Sequence, residues 1–161
     1  MGKQKTYKNF LKVTVILLST LFGIGYLPIL GGTFASLAGV FTFILFFKSN
    51  LSFFLFTLIT IFISFPLSSW GERIFEKKDA KEIVIDDFSG MLISLLFLPK
   101  KGPFIFLAFL LFRLFDFLKI YPANKLEKLK GGFGIVGDDL CAGIYTNIFL
   151  HVFKFILKIS S

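Results

Sequence analysis

Three separate stretches of this chain carry charged residues at spacings that could do chemistry. Asp86 and Asp87 open one apolar run, Arg113, Asp116 and Lys119 lie near the end of the next, and Asp138 and Asp139 open the last. An ionisable group inside an apolar helix costs about 2.5–3.5 kcal/mol at the helix centre on insertion scales, so each needs a partner or a function. On a helix, positions 113, 116 and 119 spread over about 120° of one side and can share a site.

Five carboxylates beside an arginine and a lysine suit a divalent metal and a phosphate. Mg²⁺ takes hard oxygen ligands, usually one or two carboxylates together with water and phosphate oxygens. Arg113 offers a planar fork to phosphate oxygens and Lys119 a movable point charge. Taken singly, each motif has a plainer explanation: Arg113 and Asp116 as an intrahelical ion pair, and the Asp pairs as helix starts whose carboxylates suit the dipole. The three motifs together weigh against that.

Other chemistries fail on residue inventory. His151 is the single histidine and sits in a Phe-rich carboxyl-terminal segment, which suits a packing or interfacial role. Cys141 has Asn147 rather than arginine six residues on, so the cysteine-phosphatase loop is missing and a small buried thiol is expected. Gly31, Gly32, Gly131, Gly132 and Gly134 form no Walker sequence and read as turn residues.

The elements that must position these residues are apolar. Of 161 residues, 55% are hydrophobic and 25 are Phe, with a mean hydropathy of +0.81, against about 45–50% apolar in a soluble domain. That composition predicts an integral membrane protein and excludes disorder, and a lone cysteine excludes a disulfide-stapled fold. The length is that of one domain, residues 1–161, with room for four or five spans of about 20 residues. The expected fold is an all-α, polytopic membrane helical bundle of about four to five short transmembrane helices with a broken or re-entrant first segment.

Val13 to Leu30 is that first segment, interrupted by Gly23, Gly25 and Pro28 and running into a Gly31-Gly32-Thr33 turn. It has the basic flank of a signal sequence without a close small-x-small cleavage site, and is read as retained. Phe34 to Phe47 and Leu51 to Trp70 predict a helical hairpin with its turn at Lys48, Ser49 and Asn50. Gly71 to Glu82 reads as a solvated loop or helical extension. Ile83 to Leu98, Phe104 to Leu118 and Leu140 to Ile159 are the remaining apolar runs. Two of them are only about 15 residues long, short for a hydrocarbon core of about 30 Å, so tilted, interfacial or short buried helices are all open.

The net charge of +8 would suggest nucleic acid in a soluble protein, but the charges cluster at the ends of apolar runs. Lys3, Lys5, Lys8 and Lys12 form one cluster, Arg73, Lys77, Lys78 and Lys81 a second, and Lys119, Lys125, Lys128 and Lys130 a third. If the amino terminus is cytoplasmic and the first segment returns to its own side, five crossings place these twelve inside. Lys48, Lys100, Lys101, Lys154 and Lys158 lie opposite, a bias that supports this orientation. Every acidic motif and the glycine-threonine turn then fall at the cytoplasmic ends of the helices, with anionic lipid as the neighbour of the basic clusters.

In this order the motifs resemble a known family. The run from Phe22-Gly23 through Gly31-Gly32-Thr33-Phe34-Ala35-Ser36 is followed by Glu82-Ile83-Val84-Ile85-Asp86-Asp87-Phe88-Ser89-Gly90. Next come Arg113-x-x-Asp116-x-x-Lys119 and Gly131-Gly132-x-Gly134-x-x-x-Asp138-Asp139-x-x-Ala142-Gly143. Together, from about Phe22 to Tyr145, they resemble phosphatidylglycerophosphatase A. The family usually reads Asp-Glu at Asp86-Asp87, Pro-Gly-Thr at Gly31-Gly32-Thr33 and Lys-Pro-x-Pro from Lys119 to Pro122, so this chain has one shorter carboxylate and two altered turns. The resemblance implies a Mg²⁺-dependent phosphatase of the bacterial inner membrane that converts phosphatidylglycerophosphate to phosphatidylglycerol and phosphate, toward cardiolipin. On that reading Asp86, Asp87, Asp138 and Asp139 hold Mg²⁺, and Arg113 and Lys119 bind phosphate with Gly32 and Thr33. Asp116 orients or deprotonates water, or serves as ligand or nucleophile, with Asp87 and Asp139 completing the catalytic set. Two alternatives stand beside it: a phosphatase for another lipid or small phosphomonoester, and a non-enzymatic cation-binding or transporting membrane protein.

Overall fold

The computed structural model describes residues 2–157, with side chains from residue 9 onward. The side chains of Lys3, Lys5 and Lys8, the whole of Lys158 and the expected end of the last run at Ile159 lie outside the described residues. All regular structure among the described residues is helical: α1 (Gly2–Ser19), α2 (Gly31–Phe46), α3 (Asn50–Phe75), α4 (Ile85–Ser94), α5 (Gly102–Leu118), α6 (Ala123–Leu126) and α7 (Gly132–Ile156).

The first apolar segment breaks as its glycines and proline predict, α1 ending at Ser19 and a 3₁₀ turn forming over Ile24–Tyr26. The Gly31-Gly32-Thr33 stretch is not a turn, however. It forms the first turn of α2, which begins at Gly31. The hairpin of α2 and α3 forms with its connection at Phe47, Lys48 and Ser49, and α3 continues through Pro66 to Phe75, so the charged stretch after Trp70 starts as a helical extension. Glu76 stops α3 in the left-handed conformation, and its amide donates to the Glu72 carbonyl. Gly102 and Pro103 start α5, where a missing amide hydrogen costs nothing.

The run from Ile83 to Leu98 yields only the ten residues of α4, the short buried helix among the forms open to it. All of these residues except Asp87 are buried, and the helix is surrounded by α2, α3, α5 and α7. Such a helix is about 15 Å long, so the chain passes from one end of the bundle to the other by α4 followed by an irregular stretch leading to Lys101. Side chains from elsewhere take up the carbonyls released where α4 ends. Asn147 Nδ2 donates to the carbonyls of Ser94 at 3.3 Å and Leu96 at 2.8 Å, and His151 Nε2 lies 3.0 Å from the Leu96 carbonyl. His151 therefore has the packing role expected of it. Lys100, expected only as a charged flank, closes the carboxyl end of α2. Its Nζ donates to the Phe43 carbonyl at 2.6 Å and to that of Phe47, and lies over the Phe43 ring.

The core of the bundle is Met91 and Leu92 of α4 and the Leu95 that follows it, packed among Phe43, Phe53, Phe112 and Leu150. Gly90 lets α4 and α7 approach. A Cβ there would stand 2.8 Å from the Asp139 carbonyl and 2.7 Å from the Phe112 ring, so any side chain would part the two helices beside Asp139. Outward faces are apolar at helical spacing: Leu51, Leu55, Ile59 and Phe62 on α3, and Phe106, Leu110, Leu114 and Phe117 on α5 are all exposed. Among the described residues, α3 is the one helix both long and apolar enough to cross a membrane.

Candidate active site

The amino-terminal turns of α2 and α4, the second turn of α7 and the carboxyl end of α5 meet at one end of the bundle around a cavity of about 370 Å³. Asp86 and Asp87 lie in the first turn of α4, where carboxylates suit the helix dipole. Gly31 and Gly32 bring the first turn of α2 to the same cavity, with amides that have no acceptor inside their own helix. The cavity is lined by Gly31, Gly32, Asp86, Asp87, Arg113, Asp116, Lys119, Asp138 and Asp139, so it assembles almost the full set of expected site residues. Thr33 is the exception: it lies in the same turn of α2 but does not line the cavity.

Within the cavity the carboxylates divide into two groups. Asp86, Asp87 and Asp139 each offer an oxygen within 4.8 Å of the others, a grouping that could hold a metal ion. Asp138, expected as a fourth member of that set, instead accepts a hydrogen bond from Lys119 Nζ at 3.0 Å, and Glu127 lies 2.9 Å from the same nitrogen. Arg113 bridges Asp87 and Asp116, the latter at 3.1 Å. The intrahelical pair open from the sequence is thus present, but it is one arm of a fork whose other arm reaches α4.

This geometry is electrostatically expensive. Three carboxylates share one small, largely buried space, and Arg113 reaches only one of them, Asp87. Burial disfavours the charge on Lys119, yet its bonds to Glu127 and Asp138 prevail and raise its pKa. One buried oxygen of Asp86 and one of Asp138 have no hydrogen-bond partner. Unpaired buried carboxylate oxygens crowded against one another call for a cation. The donor set, oxygen only, suits a hard divalent ion such as Mg²⁺.

Gly32 contributes by what it lacks. A Cβ at this position would fall on the Asp87 carboxylate, 2.7 Å from its Cγ, so glycine is needed for Asp87 to stand where Arg113 reaches it. Three lining or supporting residues escaped sequence reasoning. Asp79 and Lys81, in the connection between α3 and α4, line the cavity, and Glu127, after α6, holds Lys119. All three sat among charges of both signs with no periodicity to single them out.

Comparison with known proteins converges on one family. The family described as phosphatidylglycerophosphatase A matches residues 17–154. A Haemophilus influenzae phosphatidylglycerophosphatase A is 34% identical over 143 residues, spanning 86% of this chain and 88% of the relative. An Escherichia coli protein of the same name is 33% identical over 133 residues, 81% of this chain and 77% of its own. A Bacteroides thetaiotaomicron protein provisionally named a phosphatidylinositol-3-phosphatase is 31% identical over 150 residues, 88% and 94% of the two chains. No solved structure matches.

Proposed function

The chain belongs to the phosphatidylglycerophosphatase A family and is a phosphoric monoester hydrolase; from that premise we propose that it hydrolyses phosphatidylglycerophosphate to phosphatidylglycerol and inorganic phosphate in a Mg²⁺-dependent reaction, supplying phosphatidylglycerol and, from it, cardiolipin. The observation that carries this reading is the convergence of Asp86, Asp87 and Asp139 within 4.8 Å of one another, beside the Arg113 fork. Six carboxylates and three cations line the cavity. A phosphate dianion would be repelled from such a site unless a bound cation reversed its charge.

On this proposal Asp86, Asp87 and Asp139 hold Mg²⁺, with Asp138 close by through Lys119. The ion, when bound, neutralises phosphoryl charge and polarises the phosphorus centre. Arg113 and Lys119 orient the phosphate oxygens, and the free amides of Gly31 and Gly32 add donors at a helix amino terminus. Asp116, less buried than Asp86 and Asp139, orients a water molecule and takes its proton as the water oxygen bonds to phosphorus. The bond from phosphorus to the glycerol oxygen breaks, and that oxygen leaves as the alcohol by taking a proton from solvent water, while Asp116 returns its own to solvent.

The same proposal places residues 1–161 as one membrane-embedded domain of the bacterial inner membrane. The exposed apolar stripes of α3 and α5 support it, since contiguous exposed apolar surface on this scale needs a lipid or protein neighbour. With α2, α3, α5 and α7 facing lipid, the short α4 is wrapped in protein, the one setting in which irregular backbone is tolerated at membrane depth. The basic residues near the cavity support a position at the cytoplasmic face, against anionic lipid.

Phosphate release by the purified protein from phosphatidylglycerophosphate, phosphatidylinositol 3-phosphate and phosphatidate, with and without Mg²⁺, tests the reading. The expected result is Mg²⁺-dependent release from the first. Preferential release from the inositol lipid would favour the function named for the Bacteroides relative.

A further inference from the structure

Three cations line the catalytic cavity, and two of them are committed. Arg113 is engaged by Asp87 and Asp116, and Lys119 by Glu127 and Asp138. Lys81 is the third. It is exposed, and no carboxylate among the described residues lies within ion-pair distance of it. Polarity also changes with depth. Asp86, Asp138 and Asp139 are buried, Lys81 stands in the exposed connection between α3 and α4, and Leu27 and Ile29 line the same cavity with exposed apolar side chains. Ile29 is 98% exposed and holds φ at 74°, a conformation costly for a β-branched residue and found where function requires it. The cavity thus has a buried charged base and an exposed rim that carries an unpaired cation and two apolar side chains.

We propose that Lys81 is a second anion subsite that binds the phosphodiester of a lipid whose terminal phosphate lies at the carboxylate base. The inference rests on the proposed lipid phosphatase activity and goes beyond it by naming the residue that distinguishes a lipid with two phosphates from one with a single terminal phosphate. An ammonium group on a flexible stem can follow a diester that carries one charge, whereas the planar fork of Arg113 suits the terminal group. The apolar side chains of the rim then receive the start of the acyl chains.

The test uses the full chain in mixed micelles with phosphatidylglycerophosphate, comparing the wild type with Lys81→Ala, Lys81→Arg and Lys130→Ala. Lys130 lines a separate basic groove with Arg73, Lys77, Lys78 and Lys128, so its removal takes away the same charge without altering the catalytic cavity. Lys81→Ala should raise KM about tenfold, the low end for a charge-assisted hydrogen bond at an exposed site, with kcat within about twofold. Inhibition by inorganic phosphate, which needs only the base of the cavity, should change much less than KM. Lys81→Arg should recover most of the loss, and Lys130→Ala should keep the wild-type KM. An unchanged KM in Lys81→Ala overturns the subsite, as does an equal weakening of phosphate inhibition or an equal rise in KM for Lys130→Ala. A wild-type protein inert toward the lipid overturns the activity and the subsite together, so the two failures are distinguishable.

Discussion

The two ends of the bundle use polar side chains in opposite ways. At one end Lys100, Asn147 and His151 each meet backbone carbonyls freed where α2 and α4 stop. At the other, Asp86 and Asp138 each keep a buried oxygen without a partner, while Asp87 and Asp139 crowd beside Asp86. Polar groups that satisfy the chain's own backbone hold a fold together, whereas polar groups left unsatisfied and mutually repelling store instability that a ligand can relieve. The contrast marks the candidate site without reference to any relative, because a protein gains nothing in stability from burying like charges. It also yields opposite mutational signs at the two ends.

Asp86→Asn should lower phosphate release on the order of 10²–10³-fold, the usual scale for removing a preorganised charged group from a reaction centre. The same change should raise the thermal unfolding midpoint of the metal-free protein, because it removes a buried charge that its neighbours repel. A variant that loses activity and stability together would place Asp86 with the structural polar groups. Arg113→Lys should cost about 10²-fold in kcat with the protein still folded, since a point charge cannot reproduce two-pronged phosphate contacts. Near wild-type turnover would reduce Arg113 to a structural ion pair with Asp87 and Asp116.

Gly32→Ala should cost about tenfold or more in activity by displacing the Asp87 carboxylate from Arg113. It should also raise the Mg²⁺ concentration needed for half-maximal rate. Unchanged Mg²⁺ dependence would separate Asp87 from the metal group.

A divalent ion that binds the ionised Asp87 carboxylate competes with the proton. Raising Mg²⁺ should thus shift the acid limb of the rate profile to lower pH. An acid limb that stays in place as Mg²⁺ is raised would contradict Mg²⁺ binding at this carboxylate.

How legible this contrast is in the sequence depends on which interactions are local. The steps of three at Arg113, Asp116 and Lys119, the two Asp pairs, and the breaks at Gly23, Gly25 and Pro28 are local patterns, and the structure keeps them. The length of α4 is not local. Beyond its Asp pair, Ile83 to Leu98 is largely apolar to its end, yet its helix stops at Ser94, where Asn147 and His151, some fifty residues away, act as donors to the freed carbonyls. Gly31 and Gly32 illustrate the same limit: paired glycines favour a turn by propensity, yet here the first turn of a helix must pass beside a carboxylate with no Cβ between them. Asp138 could not be told from Asp139 by position alone, since only the fold brings Lys119 and Glu127 to one and Asp86 and Asp87 to the other.

The smallest expected effect tests the quieter end of the molecule. Asn147 Nδ2 is shared between two carbonyls, at 2.8 and 3.3 Å, and both lie where α4 gives way to irregular chain inside the bundle. Asn147→Ala would leave those part-buried acceptors without that donor. The cost should be about 1–3 kcal/mol, seen as a lower unfolding midpoint in detergent. Activity at temperatures below that midpoint should stay within about twofold, because the site lies at the opposite end of α4 and the first turn of that helix is held independently by Val84 and its neighbours. Asn147→Asp supplies the complementary check: it keeps the shape, replaces a donor by an acceptor facing two carbonyls, and should destabilise more than alanine does. If either variant reduced phosphate release by tenfold while the midpoint held, α4 would be transmitting strain along its length to Asp86 and Asp87, and the two ends could no longer be treated as separate.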